Sequence, residues 1–149
     1  MRFWDTSAII PLCVKEEHTL EMTRLAKEDG ELVVWWGTVV ECYSAFARLR
    51  QEGIIDVAGE NRLRDHIEHL AREWTEITPG QEVREQAGRL LRLHSLRASD
   101  SLQLAAALIW ANHNPRGHYF ICLDNRLREA ARREGFTLLG KLDGSTGSP

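Results

Sequence analysis

Apolar positions along this chain switch between two periods. Short unbroken apolar runs alternate with longer stretches in which apolar residues recur every three or four positions. The first pattern fits strands buried on both faces of a parallel sheet, and the second fits amphipathic helices. Arg2-Phe3-Trp4 is a short apolar lead into Asp5, and residues 8–14 read as a brief helix with Pro11 in its first turn. Residues 18–29 form a helical stretch closed by Gly30. The run 32–36 (LVVWW) predicts a buried strand. Helices follow from Thr38 to about Glu52, and from about Val57 to Trp74. Residues 75–78 are a weak strand candidate. A helix over 81–94 carries the stripe Val83, Ala87, Leu90 and Leu91, and Ser99 opens the most apolar helix, ending at Trp110. A second buried strand, YFICL, covers 119–123; a helix over 125–134 closes at Gly135, and 137–139 make a last short strand.

Strands alternating with helices predict βαβ units, hence a helix-rich α/β fold: a three-layer α/β/α sandwich around a mostly parallel sheet. At 149 residues the chain fits one domain, taken as 1–142. Residues 143–149 (DGSTGSP) have linker composition and are expected to be a flexible tail. Hydrophobic residues make up 43% and charged residues 28%, which excludes a disordered chain. Cys13, Cys42 and Cys122 lie far apart, form no CxxC pair, and read as reduced thiols. The amino terminus lacks a secretory leader pattern, and no apolar run approaches the ~18 residues that span a bilayer, so the expectation is a cytoplasmic protein without membrane contact.

The net charge of −3 advertises no global attraction to nucleic acid, but the charge is uneven. Residues 101–149 carry six basic and four acidic groups, whereas the preceding hundred carry thirteen and eighteen. The acids matter by position. Asp5 and Asp124 each end an apolar strand, Glu41 lies in the first turn of the helix after LVVWW, and Asp100 opens the most apolar helix. In an open parallel sheet the carboxyl ends of the strands share the edge where ligands bind. Each acid also fits a helix cap: Thr38 and Glu41 match a capping box, Asp5 and Asp124 match N-caps, and Asp100 follows a candidate Ser99 cap. Should all four converge, they could not stay ionised together without a cation, and a hard oxygen cage suits Mg²⁺ or Mn²⁺.

Four stretches carrying these acids resemble PIN-domain ribonucleases, and among them the VapC-type toxins of bacterial toxin–antitoxin pairs: FWDTSAII (3–10), TVVECYSAFARL (38–49), LRASDSLQLAAAL (96–108) and ICLDNRLREAA (121–131). The resemblance implies a divalent-metal site made by Asp5, Glu41, Asp100 and Asp124, holding Mg²⁺ with Mn²⁺ as a substitute, and metal-dependent hydrolysis of RNA phosphodiester bonds. It also implies a hydroxyl from Thr6 or Ser7 beside the first acid, a homodimer, and an antitoxin partner covering the crevice. Cys122 departs from the pattern, since many relatives have Thr two residues before the last acid. Ser99 is a further hydroxyl near the carboxylates.

Other features weigh less. His66 and His69 are i,i+3 on a helix and read as an exposed face. Trp35 and Trp36 are adjacent on a strand, so both are expected to be covered, by helices or a subunit interface. Arg97, Arg126 and Arg128 flank the acids and are candidates for RNA phosphate contact. Two alternatives to a ribonuclease remain: a PIN-like module that only binds RNA or a protein partner, and a receiver-type phospho-regulator. The receiver needs an acidic pair after its first strand, and Thr6-Ser7 stand there; Asp56 follows only Ile54-Ile55.

Overall fold

The computed structural model describes residues 1–140. The expected tail, 143–149, lies outside the described residues. The elements run β1 (Arg2–Trp4), α1 (Thr6–Cys13), α2 (Thr19–Asp29), β2 (Leu32–Trp35), α3 (Thr38–Gln51), α4 (Val57–Ala71), β3 (Thr75–Ile77), α5 (Gln81–Leu93), α6 (Ala98–Trp110), β4 (Tyr119–Ile121), α7 (Asn125–Glu134) and β5 (Thr137–Leu139). All strand pairs are parallel, in the order β3-β2-β1-β4-β5.

Side-chain alternation along these short strands divides the core in two. Phe3, Val33, Trp35 and Phe120 point to a layer built by α5, α6 and α7, where Val83, Leu90, Leu104 and Leu127 are buried. Trp4, Val34 and Ile121 point the other way, onto α1 to α4, against Ile9, Met22, Phe46 and Ile67. This is the expected α/β/α sandwich. The inner positions of β1, β2 and β4 are buried on both faces of the sheet, which is why these strands read as unbroken apolar runs.

Several local expectations fail for identifiable reasons. Helix α1 starts at Thr6, because the Asp5 side chain caps it, so Pro11 sits in the second turn instead of the first. Helix α4 stops at Ala71, since Trp74 turns into the core ahead of β3 and its indole donates to Glu76 (2.9 Å). Leu91 falls off the buried stripe of α5 and is 44% exposed. Trp35 is covered, at 7% exposure, but Trp36 is 52% exposed, and no helix among the described residues covers it. His66 and His69 are exposed, as expected. Cys13, Cys42 and Cys122 are free thiols. Among the described residues, no helix is long and apolar enough to cross a membrane.

Candidate functional site at the carboxyl edge of the sheet

The strand order reverses beside β1. From β1 the chain crosses through α1 and α2 to β2, whereas β4 and β5 lie on the other side. Such a switch point opens a crevice beyond the carboxyl ends of the two flanking strands. Asp5 leaves β1 into that crevice, and Asp124 follows β4 into it. Glu41 enters from the first turn of α3 and Asp100 from the first turn of α6. Four elements thus bring four carboxylates to one edge.

Asp5 is 5% exposed. Its Oδ2 accepts the Ser7 backbone N–H at 3.0 Å, and the Cys122 thiol lies 3.7 Å from the same oxygen. Burial pushes its carboxyl above the usual range; the Ser7 hydrogen bonds oppose this, and the Asp100 charge adds to it. Glu41 is pushed up to about 7, first by burial and then by the charges of Asp5 and Asp100, against hydrogen bonds from Thr6 and Gln103. Asp100 is also raised, by burial and then by Asp124, while Arg97 and Arg126 hold it down. Asp124 is exposed and caps α7, with Oδ2 accepting from Leu127 N at 2.9 Å.

Capping and clustering therefore coexist. Asp5 and Asp124 are N-caps as well as members of the cluster, and Asp100 accepts weakly from Arg97 N at 3.4 Å. The expected capping box of α3 is not made: Gly37 occupies the cap and Thr38 is the first helical residue, so Glu41 falls one position too far along. Helix α6 begins one residue before Ser99, so Ser99 is not its cap; its side chain lines the cleft instead.

Sequence reasoning missed Gln103. It is 1% exposed, and its Nε2 lies 2.9 Å from Thr6 Oγ1, 3.1 Å from Thr38 Oγ1, and 3.3 and 3.4 Å from the two Glu41 oxygens. One amide thereby ties α6 to α1 and α3 beneath the carboxylates. A polar residue three positions after Asp100, inside an otherwise apolar helix, was the available signal. Ser7 serves a different purpose from Thr6: its Oγ accepts from Leu123 N at 2.9 Å, joining the start of α1 to the end of β4.

The outer half of the site is an open cleft of about 430 Å³ lined by Arg97, Ser99, Asp100, Asp124, Asn125 and Arg126. Arg97 and Arg126 are exposed and form no ion pair among the described residues. Arg128 departs from the expected phosphate contact. Its Nη1 donates to the carbonyls of Cys122 (2.7 Å) and Leu139 (2.9 Å), clamping the ends of β4 and β5. Asp56 caps α4, with Oδ1 accepting from Gly59 N at 2.7 Å, and ends no strand.

The donor set is chemically suited to a hard divalent cation: four carboxylates, three of them raised in part by each other's charge. Among the described residues, however, no three His, Cys, Asp or Glu side chains stand as a ready-made metal site. A bound cation would have to draw the carboxylates inward. No protein-family model matches the chain, and no curated protein matches it.

Proposed function

We propose that this protein is a metal-dependent endoribonuclease of the PIN type. The observation that carries this reading is that four elements bring Asp5, Glu41, Asp100 and Asp124 to one edge of the sheet, where burial first and then neighbouring acids raise the carboxyls of Asp5, Glu41 and Asp100. Acids that repel one another in the resting protein form a site that gains from a cation. These four residues would hold Mg²⁺ or Mn²⁺, which supplies an activated water and neutralises charge on phosphoryl oxygens. The protein's own groups do the rest. Gln103 and Thr6 fix the Glu41 carboxylate, and Arg97 and Arg126, neither ion-paired among the described residues, take the phosphates that flank the cleft. The four-stretch resemblance extends the proposal to a toxin that forms a homodimer and is silenced by an antitoxin lying over the cleft.

Cleavage of a labelled single-stranded RNA tests this directly. The wild type is expected to cut in Mg²⁺ or Mn²⁺ and not in excess EDTA, and Asp100→Asn to cut at least roughly 100-fold more slowly, because loss of a direct ligand exceeds the ~10–100-fold loss on removing an outer-shell partner. Cleavage that persists in EDTA contradicts the proposal. In bacteria, expression should arrest growth and Asp5→Asn should relieve the arrest. One observation favours a second reading, a PIN-like module that binds RNA or a partner without catalysis: no three ligands stand ready for a metal. RNA binding without cleavage in either metal would select it.

A further inference from the structure

The two strands that flank the crevice, β1 and β4, pair in parallel and end in Asp5 and Asp124. Asp5 N donates to Ile121 O at 3.0 Å, which sets the start of α1 beside the end of β4. Cys122, the next residue along, is fully buried. Three hydrogen bonds then run in one direction. Leu123 N–H donates to Ser7 Oγ at 2.9 Å, the Ser7 hydroxyl donates to Cys122 Sγ at 3.7 Å, and the Cys122 thiol donates to Asp5 Oδ2 at 3.7 Å.

This relay has a polarity. The hydroxyl and the thiol each accept from one neighbour and donate to the next, and the chain ends on an anion. Bonds in such a chain strengthen one another. The single thiol proton has a second acceptor in reach, the Asp124 backbone carbonyl at 3.6 Å. The carboxylate wins that competition, because a hydrogen bond to an ionised acceptor is about twice as strong as one to a neutral group. Oδ2 also accepts the Ser7 backbone N–H at 3.0 Å, so both hydrogen bonds to the Asp5 carboxylate fall on one oxygen. Among the described residues Oδ1 accepts none, and it is not sealed from solvent. A carboxylate pinned by one oxygen keeps the lone pairs of the other at a fixed place. The spacing suits sulfur: an O–H donor bonds at ~2.7–2.8 Å, so a serine hydroxyl would have to draw Oδ2 roughly 1 Å closer.

Resting on the metal-site reading above, we propose that Cys122 is a positioning residue for Asp5: its thiol, oriented by the Ser7 hydroxyl, pins Oδ2 and leaves Oδ1 to the cation. Cys122 itself touches neither the ion nor RNA. It acts through Asp5, from the end of the neighbouring strand.

Titration with Mn²⁺ alone, read from the free-ion EPR signal, tests this without RNA. Cys122→Ala removes the donor and should weaken Mn²⁺ binding about tenfold, the lower end of the loss on removing an outer-shell partner. Cys122→Ser keeps a donor and should lose less. Ser7→Ala breaks the relay from its half-buried end and should also weaken binding. The double variant should bind no worse than Cys122→Ala, because members of one network do not act additively. A thiol that only fills space predicts variants of lower stability and unaltered Mn²⁺ affinity. Equal affinity in the wild type and Cys122→Ala, weaker binding in Cys122→Ser than in Cys122→Ala, or additive losses in the double variant overturns the positioning role. Should Cys122→Ala fail to fold, unaltered affinity in Ser7→Ala overturns it. A cleavage assay in Mn²⁺ on the same samples separates the two claims. Weakened Mn²⁺ binding in the variants, with no RNA cleavage by the wild type, keeps the positioning role and removes the nuclease. Wild-type cleavage with unaltered Mn²⁺ binding in the variants does the reverse, and no Mn²⁺ binding by the wild type overturns both.

Discussion

Replacing Glu41 with Gln should stabilise the metal-free protein at neutral and alkaline pH. The Glu41 carboxyl rises from 4.5 to about 7 in the fold, by burial first and then by Asp5 and Asp100. Below pH 4.5 both folded and unfolded chains carry the proton, and above pH 7 neither does. Between those values the folded state binds a proton that the unfolded state lacks, so stability falls as pH rises through this window. At ~1.36 kcal/mol per pH unit the ceiling is about 3 kcal/mol. Glu41 is only partly buried, and solvent screens part of the repulsion, so about 1–2 kcal/mol is the expected cost at pH 8. Gln keeps the shape and an oxygen for the Gln103 amide while removing the charge. Melting in EDTA at pH 4.5, 6 and 8 should show near-equal stability at the acid end and a variant about 3–6 °C higher at pH 8. A variant that melts lower at pH 8, or a difference that does not change with pH, would refute the reasoning.

Gln103→Leu should shift the Glu41 transition still further upward, because it removes a hydrogen bond that favours the ionised carboxylate, and it should cost about 1–3 kcal/mol through the orphaned polar groups; the same pH series of melts reads both effects. Arg128→Met should lower stability by about 1.5–3 kcal/mol in urea titrations, since two carbonyls at the ends of β4 and β5 lose a charged donor. It should leave RNA affinity and its salt slope unaltered, and weaker RNA binding at unchanged stability would restore Arg128 to the interface.

The two-period pattern of apolar residues carried most of the fold. Strands buried on both faces leave unbroken runs, so LVVWW and YFICL were readable at once. Their order was not, because nothing local to a strand names its neighbours; with it went the proof that Asp5, Glu41, Asp100 and Asp124 share one edge. Trp36 shows the limit of alternation. It lies one residue beyond β2, where the backbone N–H still donates to Ile77 O at 3.0 Å but no helix among the described residues covers the side chain. Caps misled in a different way: Gly37 took the place that Thr38 fits chemically, which moved Glu41 out of the capping box. Arg128 and Gln103 were illegible or overlooked because their partners lie elsewhere in the chain: six residues before and eleven after Arg128, and 97 residues away, at Thr6, for Gln103.

We propose that four carboxylates from four elements act as one cation site, and thermal melts of the wild type and Asp100→Asn, each in EDTA and in millimolar Mg²⁺, distinguish this from four separate caps. Saturation to about a hundred times the dissociation constant stabilises a folded site by about 2.7 kcal/mol, so the wild type should melt several degrees higher with Mg²⁺. Asp100→Asn should melt above the wild type in EDTA, having lost part of the repulsion, and should gain much less from the ion. Equal Mg²⁺ shifts in the two proteins, with the variant less stable in EDTA, would mean four separate helix caps and contradict a shared site.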